Sequence, residues 1–158
     1  ADPTLYYEFG AGAAEVEVDR ETGQVRLVRY VAVSDVGRAI HPAQVEGQDE
    51  GGAVMGVGQA LWEGLVFEDG LMVNGSLASY RVPTFADLPA ELHTEAVENG
   101  DGPGPFGSKG AGEGALLPVA PAIANAVFWA TGARVRELPM VPERVWRAMG
   151  GAAAGAGS

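Results

Sequence analysis

There is no cysteine in the 158 residues. Disulfides, thiolate zinc sites and cysteine-ligated iron–sulfur clusters are therefore excluded on this chain, and the composition agrees with a reducing cytoplasm. Histidine is almost as scarce. His41 and His93 stand far apart with no HxH or HxxxH neighbour, so no protein metal site is expected from this chain alone. Positive charge is short too: 10 Lys and Arg against 21 Asp and Glu give a formal net charge of −11. That balance argues against nucleic acid, whose binding rests on Lys and Arg, and against an anionic membrane surface. No apolar run approaches the ~18–20 residues of a spanning helix. No basic, then apolar, then small-residue signal opens the chain. The initiator methionine is missing as well, and apolar residues are in place by Leu5, so the start reads as a processed or truncated piece of something larger.

What is present suits one domain with a real core. Hydrophobic residues make up 47% of the chain, which excludes intrinsic disorder, and the length is enough to bury them. From Ala14, AEVEVD alternates apolar and acidic residues as a half-buried strand does. RETG supplies a turn, and QVRLVRYVAVSDVG a β-branched partner, so the two form a hairpin. After His41, PAQVEGQDEGGAVMGVGQALWEG has helical length, with Pro42 suited to the first turn. Its glycines at 47, 51, 52, 56 and 58 oppose a helix, each by about 1 kcal/mol against alanine. Packing must compensate, and either a second backbone or a ligand comes close to them.

Further along, Glu68-Asp69-Gly70 makes a turn between two short apolar runs. Glu91 to Val97 reads as a strand. PVAPAIANAVFWATG reads as a helix stopped by Gly132, RVRELP as a short strand, and VPERVWRAM as a last short helix begun by Pro142. The mixture has no βαβ beat, so the expected class is α+β. The domain is expected over residues 1–149, with GGAAAGAGS forming a flexible tail over 150–158. No internal repeat is evident.

The stretch GPFGSKGAGEG, Gly104 to Gly114, is the part most expensive to order, since glycine loses the most backbone freedom on folding. Between Asp101 and Arg134 it holds the only ionisable side chains, Lys109 and Glu113. Residues 102–107 match GxGxxG literally, but two prolines prevent the helical start that a dinucleotide fingerprint needs. The phosphate-loop pattern fails because Ser108 precedes Lys109. A serine hydrolase would need a partnered histidine, and neither histidine has local support. On a helix Lys109 and Glu113 would be an ordinary i,i+4 surface pair, but the glycines make a helix here unexpected. A carboxylate on a tight loop with little steric cover suits a general base; the competing reading is a merely structural loop.

Five motifs in order resemble one family: AEVEVDRETGQVRLVRYVAVSDVGRAIHP, VEGQDEGGAVMGVGQAL, SLASYRVPTFADLP, GSKGAGEG, and AIANAV with ELPMVPERVW. Together they cover nearly the whole chain, from Tyr7 to Met149. The family is that of xanthine dehydrogenase and aldehyde oxidase, and the resemblance is to the C-terminal part of its molybdenum-binding subunit. It implies hydroxylation of an electron-poor carbon with oxygen from water, at molybdenum carried by a pterin cofactor. Glu113 falls on the family's catalytic glutamate, which takes the proton from the metal-bound hydroxyl. A carboxylate suits that task, being ionised near neutrality.

The resemblance also implies that Gln48 hydrogen-bonds the pterin, where the residues alone allow a plain polar helix position. Lys109, Gly110, Ala111 and Gly112 are implied to line the cofactor, with the glycines letting the backbone approach it. Asp35, by contrast, is expected to end a strand and satisfy backbone donors. The 2Fe–2S clusters and flavin of the family are expected on other chains, and the rest of the molybdenum site on upstream sequence or a partner. Alone, the chain is not expected to turn over, and apolar surface is expected around Val54, Met55 and Trp62. The rival class is a non-catalytic assembly module that retains the fold.

Overall fold

The computed structural model describes residues 6–151. Strand β1 (Gly10–Val18) pairs antiparallel with β2 (Val25–Gly37), as the alternation predicts, through a turn in which the Asp19 carboxylate accepts from the N–H groups of Glu21 and Thr22. Register shifts between Glu15 and Val16, which leaves one extra residue on β2. That bulge reverses the parity of the faces. It explains how Leu27 and Tyr30, an odd number of residues apart, both reach the core. The third strand, β5 (Glu91–Glu98), pairs parallel to β2, so the sheet order is β1-β2-β5. Between them lie the expected short hairpin, β3 (Phe67–Glu68) and β4 (Leu71–Met72). Asp69 and Gly70 turn it with φ of 48° and 80°, the backbone signs of a tight two-residue turn.

Helix α1 (Pro42–Leu61) forms in spite of its glycines. Its start is well specified, with Pro42 in the first turn and the His41 Nδ1 accepting from the Gln44 N–H. The glycines divide into two sets. A Cβ at Gly52 would lie 2.2 Å from the Gly112 carbonyl oxygen, one at Gly56 2.5 Å from the Val119 side chain, and one at Gly58 2.8 Å from Pro83. At Gly47 and Gly51 a Cβ would meet nothing. The first set thus lets other parts of this chain approach, and the second leaves one side of the helix bare.

Short helix α2 (Glu113–Leu116), helix α3 (Val119–Thr131) and the final α4 (Pro142–Ala148) complete the α+β architecture. Gly132 ends α3 in the left-handed region at φ 80°, as expected. The core joins Leu27, Tyr30 and Ala32 of β2 to Ala53, Val57 and Leu61 of α1 and to Val119, Ile123 and Val127 of α3. Counted through the turn at Leu117 and Pro118, Glu113–Thr131 has the length and composition of a membrane span. This corrects the expectation that no run approaches that length. Its fully buried stripe of Val119, Ile123 and Val127 packs on the core, which is the apolar face of a core helix.

RVRELP is not a strand. Residues 134–139 are irregular, because Pro139 offers no N–H to a ladder and the next donor, Met140 N–H, goes to the Ala60 carbonyl of α1 at 2.7 Å. Arg134 is drawn back onto α3, its guanidinium 3.9 Å from the Phe128 ring centroid and bonded to Asn125. The expected exposure around α1 holds for Met55, whereas Val54 and Trp62 are half-buried, Trp62 lying under the Arg81 guanidinium. More apolar surface is exposed on the β3–β4 arm, at Leu65, Phe67, Leu71 and Leu77. The expected tail falls outside the described residues from 152 onward.

Gly47→Ala is expected to stabilise the chain by about 0.5–1 kcal/mol, the helix-interior difference between the two residues. Gly56→Ala is expected to destabilise it by about 1–3 kcal/mol through overpacking against Val119. Urea midpoints at unchanged m-value check both; equal effects would mean that the two sets of glycines are not different.

Candidate active site

The glycine loop is fastened to the end of β2. Lys109 N–H donates to the Val36 carbonyl at 2.9 Å. The Lys109 side chain, 4% exposed, places Nζ 2.6 Å from Asp35 Oδ2 and 2.7 Å from Asp101 Oδ1. Asp35 also accepts from the Gly37 N–H, so it ends the strand and satisfies a backbone donor as expected. Residues 102–107 close on themselves, with Gly102 N–H bonded to the Gly107 carbonyl and Gly104 N–H to Ser108. Phe106 is left exposed at φ 59°. Only a single 3-10 turn, Pro105–Gly107, forms there and it is broken at Phe106, so no α-helix starts in residues 102–107.

Burial alone would raise the Asp35 carboxyl, but the Lys109 ammonium, the Gly37 N–H and Asn99 together hold it below the usual value. Lys109 is raised by its hydrogen bonds to Asp101 and Asp35. The tether therefore adds stability above the ordinary Asp range, which is lost as pH falls through the lower folded value. On the alkaline side the contribution is complete below the ordinary Lys range and is lost as pH rises through the raised one.

Glu113 sits differently from the expectation of a helix-free loop. It is the first residue of α2, whose N-terminal flank is Gly112 at φ 96°. A helix forms because the left-handed Gly112 turns the chain into it and the Leu117 N–H closes on the Glu113 carbonyl at 3.0 Å. Lys109 lies outside that helix, so the two make no i,i+4 pair. The Glu113 side chain is exposed, while Gly112, Gly114 and Ala115 beside it are buried.

Two further carboxylates hold the amides that flank Glu113. Gly112 N–H donates to Asp49 Oδ1 at 2.8 Å, and Gly114 N–H to Glu8 Oε1 at 2.8 Å. Asp49 is 1% exposed, and its other oxygen accepts from the Ser34 hydroxyl of β2. Glu8 is pushed up chiefly by burial, against the lowering effect of the Gly114 N–H, with Glu113, Asp49 and Asp35 adding to the rise. Below them Tyr30, raised to about 12 by burial, donates to the Ala115 carbonyl at 3.3 Å. A Cβ at Gly114 would lie 2.4 Å from Glu8 Oε1, and one at Gly110 2.9 Å from Glu8 Oε2. These glycines thus make room for this chain's own N-terminal segment.

The structure brings Gln48, Gly112 and Glu113 together: a Cβ at Gly112 would be 3.1 Å from the Gln48 carbonyl oxygen. Gln48 is exposed, and its side-chain amide has no hydrogen bond among the described residues. Gly110 and Ala111 are half-buried in the same loop. The Lys109 side chain is not with them, being committed to Asp35 and Asp101. Sequence reasoning missed Asp49 and Glu8. A signal for Asp49 existed, since it shares the i, i+4, i+8 stripe of Ala53 and Val57 and so is an acid on the buried face. Glu8 had none, because only the tertiary fold carries it over the loop. Among the described residues no cluster of three or more His, Asp or Glu is arranged to hold a metal ion.

The fold is shared with molybdenum-containing oxidoreductases. The CO dehydrogenase of Oligotropha carboxidovorans superposes with a TM-score of 0.82 at 26% identity, covering 94% of this chain and 19% of its own. The aldehyde oxidoreductase of Desulfovibrio desulfuricans does so with a TM-score of 0.81 at 36% identity, covering 90% and 15%. The putative xanthine dehydrogenase molybdenum-binding subunit XdhA of Escherichia coli is 37% identical over 140 residues, 87% of this chain and 18% of that one. Its aldehyde oxidoreductase molybdenum-binding subunit PaoC is 39% identical over 139 residues, 87% and 19%. A family model for the molybdopterin cofactor-binding domain matches residues 1–89. The chain belongs to the molybdopterin cofactor-binding domain family, and it spans less than a fifth of the length of those two relatives.

In Lys109→Met, the acid flank of the stability profile is expected to move to higher pH, because Asp35 loses the charge that offsets its burial. The alkaline loss should disappear. Unfolding midpoints measured from about pH 3 to 11 check this; a profile parallel to the wild type would show that the tether is not linked to folding.

Proposed function

We propose that this chain is the C-terminal part of a molybdenum–pterin hydroxylase of the xanthine dehydrogenase and aldehyde oxidase type, with Glu113 as general base. One observation carries the reading: an exposed carboxylate stands at the start of α2 between two amides, each held by a further carboxylate. The residues suit the cofactor. Gln48 offers an exposed amide on the flank of α1, able both to donate and to accept, and Gly47 and Gly51 leave the helix without a side chain at two neighbouring positions. When bound, the group supplies the water-derived oxygen and takes up the two electrons of the substrate C–H bond.

The chain's own part is proton handling and placement. Glu113 takes the proton of the attacking hydroxyl as the new C–O bond forms, and the α2 start keeps its carboxylate directed outward. Gln48 would hold the pterin, and Gly110 and Ala111 would present backbone rather than side chain to it. Gly112, buried with its N–H donating to Asp49 and its carbonyl accepting from the Leu116 N–H, would serve by turning the chain into α2. Lys109 acts at a distance, by pinning the loop to β2. The substrate is an N-heterocycle, an aldehyde or a similar electron-poor carbon, with carbon monoxide oxidation as a variant. The exposed apolar residues of the β3–β4 arm provide surface for the remainder of the molybdenum subunit. Electrons would leave through 2Fe–2S clusters, which these residues cannot ligate because they include no cysteine, and through a flavin, both expected on other chains.

In the assembled enzyme, Glu113→Gln is expected to lower turnover by about 10²–10⁴-fold with molybdenum content unchanged. Gln48→Ala is expected to reduce the pterin retained after gel filtration. Wild-type turnover in Glu113→Gln would remove the base assignment, and an assembled native complex lacking both molybdenum and pterin would favour the assembly-module reading.

A further inference from the structure

We infer that Asp49 and Glu8 are positioning residues that fix the direction of Glu113, one through each neighbouring amide. The loop around Glu113 has almost no side chains of its own with which to anchor it. Gly112 and Gly114 flank the acid, and Gly112 occupies the left-handed region at φ 96°. What holds such a segment is its backbone donors. The Gly114 N–H belongs to the peptide plane that begins at the Glu113 carbonyl, and it is taken by Glu8 Oε1 at 2.8 Å. The Gly112 N–H lies two planes earlier, on the other side of the Gly112–Glu113 peptide, and is taken by Asp49 Oδ1 at 2.8 Å. Both bonds have an ionisable acceptor, the strong class of hydrogen bond.

The cost of placing these acids here shows that they are not incidental. Asp49 sits within the buried stripe of α1, 1% exposed, where a carboxylate without donors is strongly unfavourable. Its two donors come from different elements, Ser34 on β2 and Gly112 in the loop. Asp49 therefore ties sheet, helix and loop at one carboxylate. Glu8 comes from the segment before β1 and is crowded by Glu113, Asp49 and Asp35, all of the same sign. Neither acid neutralises a base in the site: the nearby Lys109 is committed to Asp35 and Asp101. Three carboxylates converge where the loop has only backbone to offer, and two of them spend an oxygen on the amides beside the third.

The inference rests on Glu113 being the base, and the test separates the two. In the assembled molybdenum enzyme, Asp49→Ala removes both hydrogen bonds, whereas Asp49→Asn keeps an acceptor for Gly112 and a partner for Ser34. Asp49→Ala is expected to lower kcat by about 100-fold, the effect of a small misplacement of a reacting group, with KM, molybdenum and pterin contents unchanged. Asp49→Asn should recover turnover to within a few-fold. Amide exchange in the peptide covering residues 110–117 should be slow in the wild type and Asp49→Asn and faster in Asp49→Ala. Should Asp49→Ala fail to assemble, Glu8→Ala against Glu8→Gln carries the same comparison at Gly114, with a kcat loss of about 10-fold. Normal kcat in the alanine variants, or equal loss in Asn and Ala, overturns the inference. Glu113→Gln separates the failures. If it alone is inactive, only the positioning role falls. If it retains turnover, the base reading falls, and the exchange pattern still reports whether the amides are held.

Discussion

The constraint on which the site depends is the approach of α1 to the glycine loop, backbone against backbone. A methyl group at Gly52 would stand 2.2 Å from the Gly112 carbonyl oxygen, closer than any real contact. Because that space is left empty, Asp49, three residues earlier on the helix, reaches the Gly112 N–H. Gln48 comes beside the same glycine, and Glu113 begins a helix rather than hanging from a loop. The glycines that weaken α1 as an isolated helix are thus what allow it to pack here, and tertiary contact overrides local propensity.

A second consequence concerns charge. The chain carries a net −11, and four carboxylates, Glu8, Asp35, Asp49 and Glu113, gather at one end of the sheet. Like charges at close range are costly, so each needs its own compensation. Asp35 has the Lys109 ammonium, Asp49 a hydroxyl and an amide, and Glu8 an amide. Glu113 alone faces outward without a partner among the described residues.

Much of this was legible from residue order. The period-2 pattern of AEVEVD, the turn at Asp69-Gly70, Pro42 and Gly132 at helix ends all act within a few residues, and each element stands where they put it. The exceptions share a cause. RVRELP has strand composition, but strands need a ladder neighbour, and none is offered once Met140 turns to α1. The loop before Gly114 looked unable to support a helix, because the anchors of α2 lie more than sixty residues away at Asp49 and more than a hundred away at Glu8.

The sequence by itself determined most of the α+β elements, the absence of any thiolate centre, and the single acid of the glycine loop, because those follow from side-chain chemistry and short-range spacing. The tertiary structure alone decided which glycines admit this chain's own backbone and which remain bare. It also decided that Lys109 serves Asp35 rather than the site, and that Asp49 and Glu8 hold the amides around Glu113. These are contacts between segments far apart in the chain, made only when the sheet, α1 and the loop meet.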